Sequence, residues 1–413
     1  MGLHEDALKF HRDNHGKLGI CNKVPLKNGH DLSLAYTPGV AEPCKEIHAD
    51  KDLSFEYTCR GNMVAVVSDG TRVLGLGDIG PEAAMPVMEG KAILYKAFGD
   101  VDAVPICLDT KDAAEFIRAV RLLQPSFAGI NLEDIASPKC YDIEDELKKI
   151  MDIPVFHDDQ HGTAIAAVAG VIGALRFVGK AINDSTVVVN GAGAAGTAIV
   201  SLLLNAGAGD VIMMNSKGAM YEGMDMGRVN RVQAALLPKT NKAARRGSLA
   251  EVAKGVDVLI GVSTAGAFTP EIVAAMAEKS IVFSLCNPDP EISYAAAKAA
   301  GAAVAGTGRS DAPNQINNVI VFPGIFRGAI DVRARQINEA MKLAAVYAIA
   351  GLVADSELSD DFVIPDIFDK RVAPAVAAAV AKAAMETGVA RIKVEPEEVR
   401  RLTAERIGLQ SSC

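Results

Sequence analysis

Two pairs of adjacent acids, Glu133-Asp134 and Asp158-Asp159, and one glycine run, Gly191-Ala192-Gly193-Ala194-Ala195-Gly196, are the residues here whose types and spacing could do chemistry. Four carboxylates gathered at one place repel unless something neutralises them. A hard divalent cation such as Mg2+ or Mn2+ prefers oxygen ligands, and two or three carboxylates plus substrate oxygens complete its shell. Taken singly, Glu133-Asp134 reads as a solvated turn and Asp158-Asp159 as a helix N-cap. His157 and His161 flank the second pair and read as structural, because a hard cation does not need imidazole.

The elements around the acids decide between these readings. SFAGINL over 126–132 reads as a strand, IEDELKKIM over 143–151 as a helix and IPVFH over 153–157 as a second strand. A strand-helix-strand unit with short connections is a crossover whose strands lie parallel and close. Each strand ends in acid, and ligand sites in open α/β sheets lie off the carboxyl ends of the strands. Two acid pairs at neighbouring strand ends favour the ion.

Upstream, the spacing predicts a helical arm over 1–20, a polar stretch to about Glu42, a strand from Met63, a helix over 89–98, the strand VDAVPICLD and the helix KDAAEFIRAVRLL. Downstream, HGTAIAAVAGVIGALRFV reads as a helix leading into a second block from Ser185. There TVVVNG, VIMMN, VDVLIGV and SIVFSLC alternate with Ala-rich helices. The fold class is therefore α/β. A smaller N-terminal α/β domain is expected over 1–158 and a Rossmann-like, doubly wound dinucleotide-binding domain with a helical C-terminus over 159–398. A tail over 399–413 follows.

The glycine run has the context a dinucleotide site needs, since it follows TVVVN and opens the helix TAIVSLLLNAGA. The first glycine makes the tight turn, the second admits a pyrophosphate to the backbone, and the third lets helix pack on strand. The next strand ends at Asn215, where an NAD site usually carries an acid for the ribose hydroxyls. Asn215 does not repel a 2′-phosphate, and Lys217 either attracts one or is a solvated loop lysine. The choice between NAD and NADP stays open.

Composition narrows the class further. At 413 residues, half of them hydrophobic, the chain can bury a large core in two or three domains. A net charge of −9 without a basic block argues against nucleic acid and anionic membranes as partners. Cys21, Cys44, Cys59, Cys107, Cys140, Cys286 and Cys413 form no CxxC pair; they read as reduced thiols of a cytoplasmic protein, nearly all of them small buried hydrophobes. The first residues carry no apolar signal core, and no apolar run reaches the ~18 residues of a membrane span.

The segments SLAYTPGVAEPC, VVSDGTRVLGLGDIG, PVMEGKAILYK, NLEDI, FHDDQHGTA, NGAGAAG, LCNPDPEI and TGRSDAPNQINNVIVFPG run in order from residue 33 to 324. Together they resemble the malic enzymes, in their short bacterial-type form. The resemblance implies oxidative decarboxylation of (S)-malate to pyruvate and carbon dioxide with NAD or NADP and Mg2+ or Mn2+, by a homodimer or larger homo-oligomer. It implies Tyr36 as proton donor, Lys91 as proton acceptor, and Asp158 as the carboxylate paired with that lysine. Glu133, Asp134 and Asp159 are the implied metal ligands. Arg72 would hold a substrate carboxylate, with Asn287 and Asn318 near malate or the nicotinamide. The dinucleotide would meet the run from Gly191 through Ala192, Gly193, Ala194 and Ala195 to Gly196, then Asn215, Ser216, Lys217, Ser263 and Asn287. Asn215 departs from relatives with Asp there, and on this reading the extension of longer bacterial relatives is not expected.

On this reading Lys91, of ordinary pKa ~10.4, becomes a base through desolvation and the nearby cation, with Asp158 partly opposing that shift. Lys91→Ala is expected to stop malate oxidation with little loss of fold. Rival readings are an oxaloacetate decarboxylase or malolactic enzyme on the same site, in which no reduced cofactor accumulates, and a non-catalytic dinucleotide sensor, which would leave Lys91, Tyr36 and the acids unexplained.

Overall fold

The computed structural model describes residues 3–73 and 75–408, and its strands fall into two sheets. In the first, β1 (Met63–Ser68), β2 (Asp102–Cys107), β3 (Gly129–Leu132) and β4 (Val155–His157) are all parallel, in the order β2-β1-β3-β4. β1 reads MVAVVS and is buried from Val64 onward, as a parallel strand covered on both faces should be. β3 and β4 pair directly, with Leu132 opposite His157, so the residues after each leave the sheet at the same edge. The crossover helix runs Lys139–Ile150 and starts ahead of the expected 143, because Cys140 and Tyr141 in its first turn are buried.

The second sheet joins β5 (Thr186–Asn190), β6 (Asp210–Asn215), β7 (Gly218–Ala219), β8 (Val258–Gly261), β9 (Ile281–Ser284) and β10 (Val304–Thr307) in the order β10-β9-β8-β5-β6-β7. All neighbours are parallel except β6 and β7. β10 has no counterpart in the sequence reading. Its VAGT lies in an Ala/Gly-rich stretch without a β-branched run, and only burial of all four residues against β9 makes it a strand.

The helix Asp158–Val178 begins as β4 ends and joins the two halves. One hydrophobic cluster holds Val64 and Val66 of β1, Ile165 and Val168 of this helix, Val187 and Val189 of β5, and Phe322 and Phe326. This helix corrects the expectation that no run could span a membrane. It is long and apolar enough, with mean hydropathy 1.5, but 72% of that window is buried inside the protein, which makes it a core helix. The C-terminal segment is helical as expected, over Phe322–Asp331, Glu339–Ala350, Val372–Glu386 and Pro396–Gly408. Of the segment read as a tail, 399–408 belongs to the last helix, with Val399 and Thr403 buried, and 409–413 lies outside the described residues.

The N-terminal arm has a different character. Leu3–Asn14, Gly29–Ala35 and Ala41–Ala49 are helical, and neither of the last two buries any residue. Leu8, Phe10, Ile20, Val24, Leu26, Leu34 and Tyr36 are all exposed. The expectation that nearly all cysteines are buried fails for the same reason. Cys140 alone among those described is buried, whereas Cys21, Cys44 and Cys59 are exposed and all lie between residues 21 and 59. Cys413 is outside the described residues.

Candidate active site

A cleft of ≈ 1060 Å³ opens between the two sheets. From the N-terminal half it is lined by Arg72, Lys91, Glu133, Asp134 and, at the start of the joining helix, Asp159. From the other half come Gly193, Ala194, Ala195, Gly196, Ser263, Asn287 and Asn318. The geometry follows from strand register. Glu133-Asp134 and Asp158-Asp159 leave β3 and β4 at the same edge, and Asp134 turns back with a left-handed φ of 55°. Its N–H donates to Asp159 Oδ2 at 2.8 Å, and the Arg72 N–H donates to the Asp134 carbonyl at 3.0 Å. One carboxylate oxygen from each of Glu133, Asp134 and Asp159 lies within 4.8 Å of the others.

Asp158 points the other way, into the protein. Its Oδ2 meets Lys91 Nζ at 2.6 Å and accepts from Asn318 Nδ2 at 2.5 Å. Lys91 also reaches Glu133 Oε1 at 3.0 Å and lies over the Phe322 ring at 4.3 Å. Burial alone would lower the pKa of this lysine, but the charges of Asp158, Glu133 and Asp159 outweigh it and hold Lys91 as an ammonium. The expected downward shift is therefore absent in the protein alone. Burial likewise pushes the carboxyl groups up, Asp158 to about 7 and Asp159 to about 6, with Glu133 raised as well. Both shifts are upward: several acids surround one ammonium and keep it charged, while burial of the acids outweighs the charge it offers them. The donor set is all oxygen, negatively charged and short of positive charge, which fits a hard divalent cation.

Further side chains hold the acids in place and were not singled out from sequence. Tyr95 Oη donates to Asn131 Oδ1 at 2.9 Å, and Asn131 Nδ2 donates to Glu133 Oε2 at 2.8 Å. Glu144 accepts from the His157 N–H, Gln160 Nε2 and Lys148 Nζ and meets His161 Nε2 at 2.9 Å. In IEDELKK, Glu144 reads as a solvated helix acid; only the packing of that helix on β4 shows otherwise.

The glycine run behaves as its spacing requires. Gly191 has φ +119°, and a Cβ on Gly196 would lie 1.7 Å from the Gly191 carbonyl oxygen. Around Gly193 nothing lies within 4 Å of a Cβ position, so the backbone is open to a ligand. Gly191 and Ala192 sit in the turn behind the cleft wall. Asn215, Ser216 and Lys217 lie outside the cleft lining, at the carboxyl end of β6, which is the strand beside β5. There Asn215 Oδ1 accepts the Lys217 N–H at 2.9 Å. Tyr36 is not brought in either, and unlike Asn215, Ser216 and Lys217 it does not lie at a strand end of the nucleotide-binding sheet. It is 68% exposed and absent from the cleft wall.

Residues 15–148 match the family description "Malic enzyme, N-terminal domain", and residues 160–385 match "Malic enzyme, NAD binding domain". The chain belongs to the malic enzyme family. It is 60% identical over 403 residues to the "Bifunctional malic/malolactic enzyme" of Bacillus subtilis, covering 98% of each chain. With the "NAD-dependent malic enzyme" of Geobacillus stearothermophilus it shares 52% identity over 91% of this chain and 78% of that one. Among solved structures, the malic enzyme of Pyrococcus horikoshii superposes with a TM-score of 0.95 at 48% identity, over 98% of this chain and 96% of that chain. The malic enzyme fold thus consists of the four-stranded N-terminal half and the Rossmann-like second half. The resemblance seen in the motifs extends over nearly the whole chain.

Proposed function

We propose that this malic enzyme oxidises (S)-malate with a nicotinamide dinucleotide and decarboxylates the product to pyruvate. The observation that carries the reading is the convergence of Glu133, Asp134 and Asp159 within 4.8 Å, in the same cleft as Lys91 and the glycine turn. Held by those three residues, Mg2+ or Mn2+ would supply Lewis-acid polarisation of substrate oxygens and offset the charge that keeps Lys91 an ammonium. Gly193–Gly196, Ser263 and Asn287 would hold the dinucleotide, which would supply the hydride acceptor.

Lys91 then takes the hydroxyl proton, and Asp158 with Asn318 fixes the direction of its Nζ. Arg72 offers a planar fork to a substrate carboxylate, which a lysine could not reproduce. After carbon dioxide leaves, the methylene carbon requires one proton, and Tyr36 is the donor in our reading. Because Tyr36 lies off the cleft of its own chain on an arm with no buried face, we place it in the cleft of a second copy, with the homo-oligomer completed by the exposed apolar side chains of that arm. We divide the chain at the joining helix, with 1–158 as the substrate half, 159–398 as the dinucleotide half and 399–413 as a terminal segment. Scattered cysteines suit a cytoplasmic setting.

Steady-state rates with malate and Mn2+, comparing NAD with NADP, test the reading and settle the preference that Asn215 and Lys217 leave open. Absence of turnover with either cofactor would refute it. A second reading, malolactic turnover, is favoured by the 60% identity to the bifunctional Bacillus subtilis enzyme. It predicts malate consumption without accumulation of reduced dinucleotide.

A further inference from the structure

Glu291 is a fully buried acid outside the metal cluster, and the chemistry above does not use it. Among the described residues no lysine or arginine nitrogen pairs with it. Its carboxyl oxygens instead accept from three donors on two loops. Oε1 receives the Ser263 N–H at 2.7 Å and lies 3.3 Å from Ser263 Oγ, while Oε2 receives the Cys286 N–H at 3.1 Å. Ser263 Oγ accepts in turn from Asn190 Nδ2 at 2.9 Å, and Asn190 immediately precedes the first glycine of the run. The backbone adds two bonds, from the Gly266 N–H to the Pro290 carbonyl and from the Phe268 N–H to the Glu291 carbonyl. Gly261, the last residue of β8, makes the room: a Cβ there would lie 2.4 Å from Glu291 Cδ.

These contacts join the carboxyl ends of β9, β8 and β5, which are consecutive in the sheet. That edge is where a dinucleotide lies in a doubly wound fold. Ser263, Thr264, Ala265, Cys286 and Asn287 all line the cleft, and none of these loop residues belongs to a strand or helix. Burying an acid with no cationic partner is costly, and an apolar residue would fill the space at less cost. What an apolar residue could not do is accept from both loops at once.

We propose that Glu291 is a positioning residue for the dinucleotide: it holds the loops after β8 and β9 at a fixed distance from each other and from the glycine turn. The inference rests on the function proposed above. The decisive variant is Glu291→Gln, which keeps the shape but puts an NH2 group against the N–H of Ser263 or Cys286. It is expected to raise both the KM for the dinucleotide and the dissociation constant of NADH, read by its fluorescence, by about tenfold or more. Metal-dependent decarboxylation of oxaloacetate, which needs no hydride transfer, is expected to stay within about twofold of wild type. Should Glu291→Gln fail to fold, Asn190→Ala, a residue outside the cleft lining, cuts the same chain between Ser263 and the glycine turn and is expected to raise the NADH dissociation constant several-fold.

An unchanged NADH dissociation constant in a folded variant overturns the proposal. So does an equal loss of malate oxidation and oxaloacetate decarboxylation, the mark of general structural damage. A wild-type enzyme that binds NADH but does not oxidise malate would instead sink the functional reading, and the NADH titration would still judge Glu291.

Discussion

Replacing Asp159 by Asn tests the acidic cluster through stability rather than turnover. Two full charges within 4.8 Å repel by roughly 3.5 kcal/mol or more at an effective dielectric constant of ~20. Lys91 opposes this, but burial first and then the neighbouring acids still hold the Asp159 and Glu133 pKa values up. A bound divalent ion reverses the balance and stabilises the fold by mass action, by ~2.7 kcal/mol at a hundred times its dissociation constant. With ~2.1 cal/mol/K of unfolding entropy per residue, 413 residues unfolding as one unit give ~0.9 kcal/mol/K, so the midpoint should rise by ~3 °C. Asn keeps an oxygen for the Asp134 N–H but removes a ligand charge. A hundredfold loss of affinity would cut the gain to ~0.4 kcal/mol, under ~1 °C. Scanning calorimetry of both proteins in chelator and in Mn2+ reads the difference. In chelator, Asp159→Asn should melt no lower than wild type, since it sheds a repelled charge. A variant that keeps the full Mn2+ shift, or a wild type that shows none, would refute the cluster as a metal site.

Lys91→Ala should lower kcat for malate oxidation by ~10²–10⁴-fold, and a rate within tenfold of wild type would show the base is misassigned. Contrary to the expectation from sequence, it should also lower the metal-free melting temperature, because it leaves Asp158 and Glu133 buried without their cation. Gly196→Ala, whose Cβ would meet the Gly191 carbonyl oxygen at 1.7 Å, should abolish NADH fluorescence enhancement and cost ~1–3 kcal/mol of stability; tight NADH binding would contradict the turn geometry. Co-expressing Tyr36→Phe with Lys91→Ala should regenerate ~25% of wild-type activity, because random pairing makes half the molecules mixed dimers with one intact site each. No recovery would place both residues in one chain. Burial pushes the Cys140 thiol up to about 12, so a thiol reagent at neutral pH should label the exposed Cys59, which lies outside the arm helices, in the native enzyme and spare Cys140 until unfolding.

What could be read without coordinates was local or repeated at short range. The glycine run needs only its own spacing and a strand before it. The acid pairs needed one further step, the parallel pairing of β3 and β4 implied by a short crossover, and the register Leu132 opposite His157 fulfils it. Short continuous apolar runs rich in β-branched residues marked most of the strands, whereas β10 escaped because Ala and Gly carry no pattern of their own.

Tertiary structure decided matters that depend on which charges and surfaces meet. Lys91 is an exposed helix lysine by pattern, yet it lies between Asp158 and Glu133, 67 and 42 positions away in a chain whose spacing cannot report their distance. Its charge state depends on the sum of burial and neighbouring charges, which exists only once the fold is closed. Glu144 and Glu291 look like solvated acids because sequence shows a residue's type and not the donors around it. Tyr36 was legible as a motif residue and not as a position, since an arm without a buried face takes its place from what it packs against.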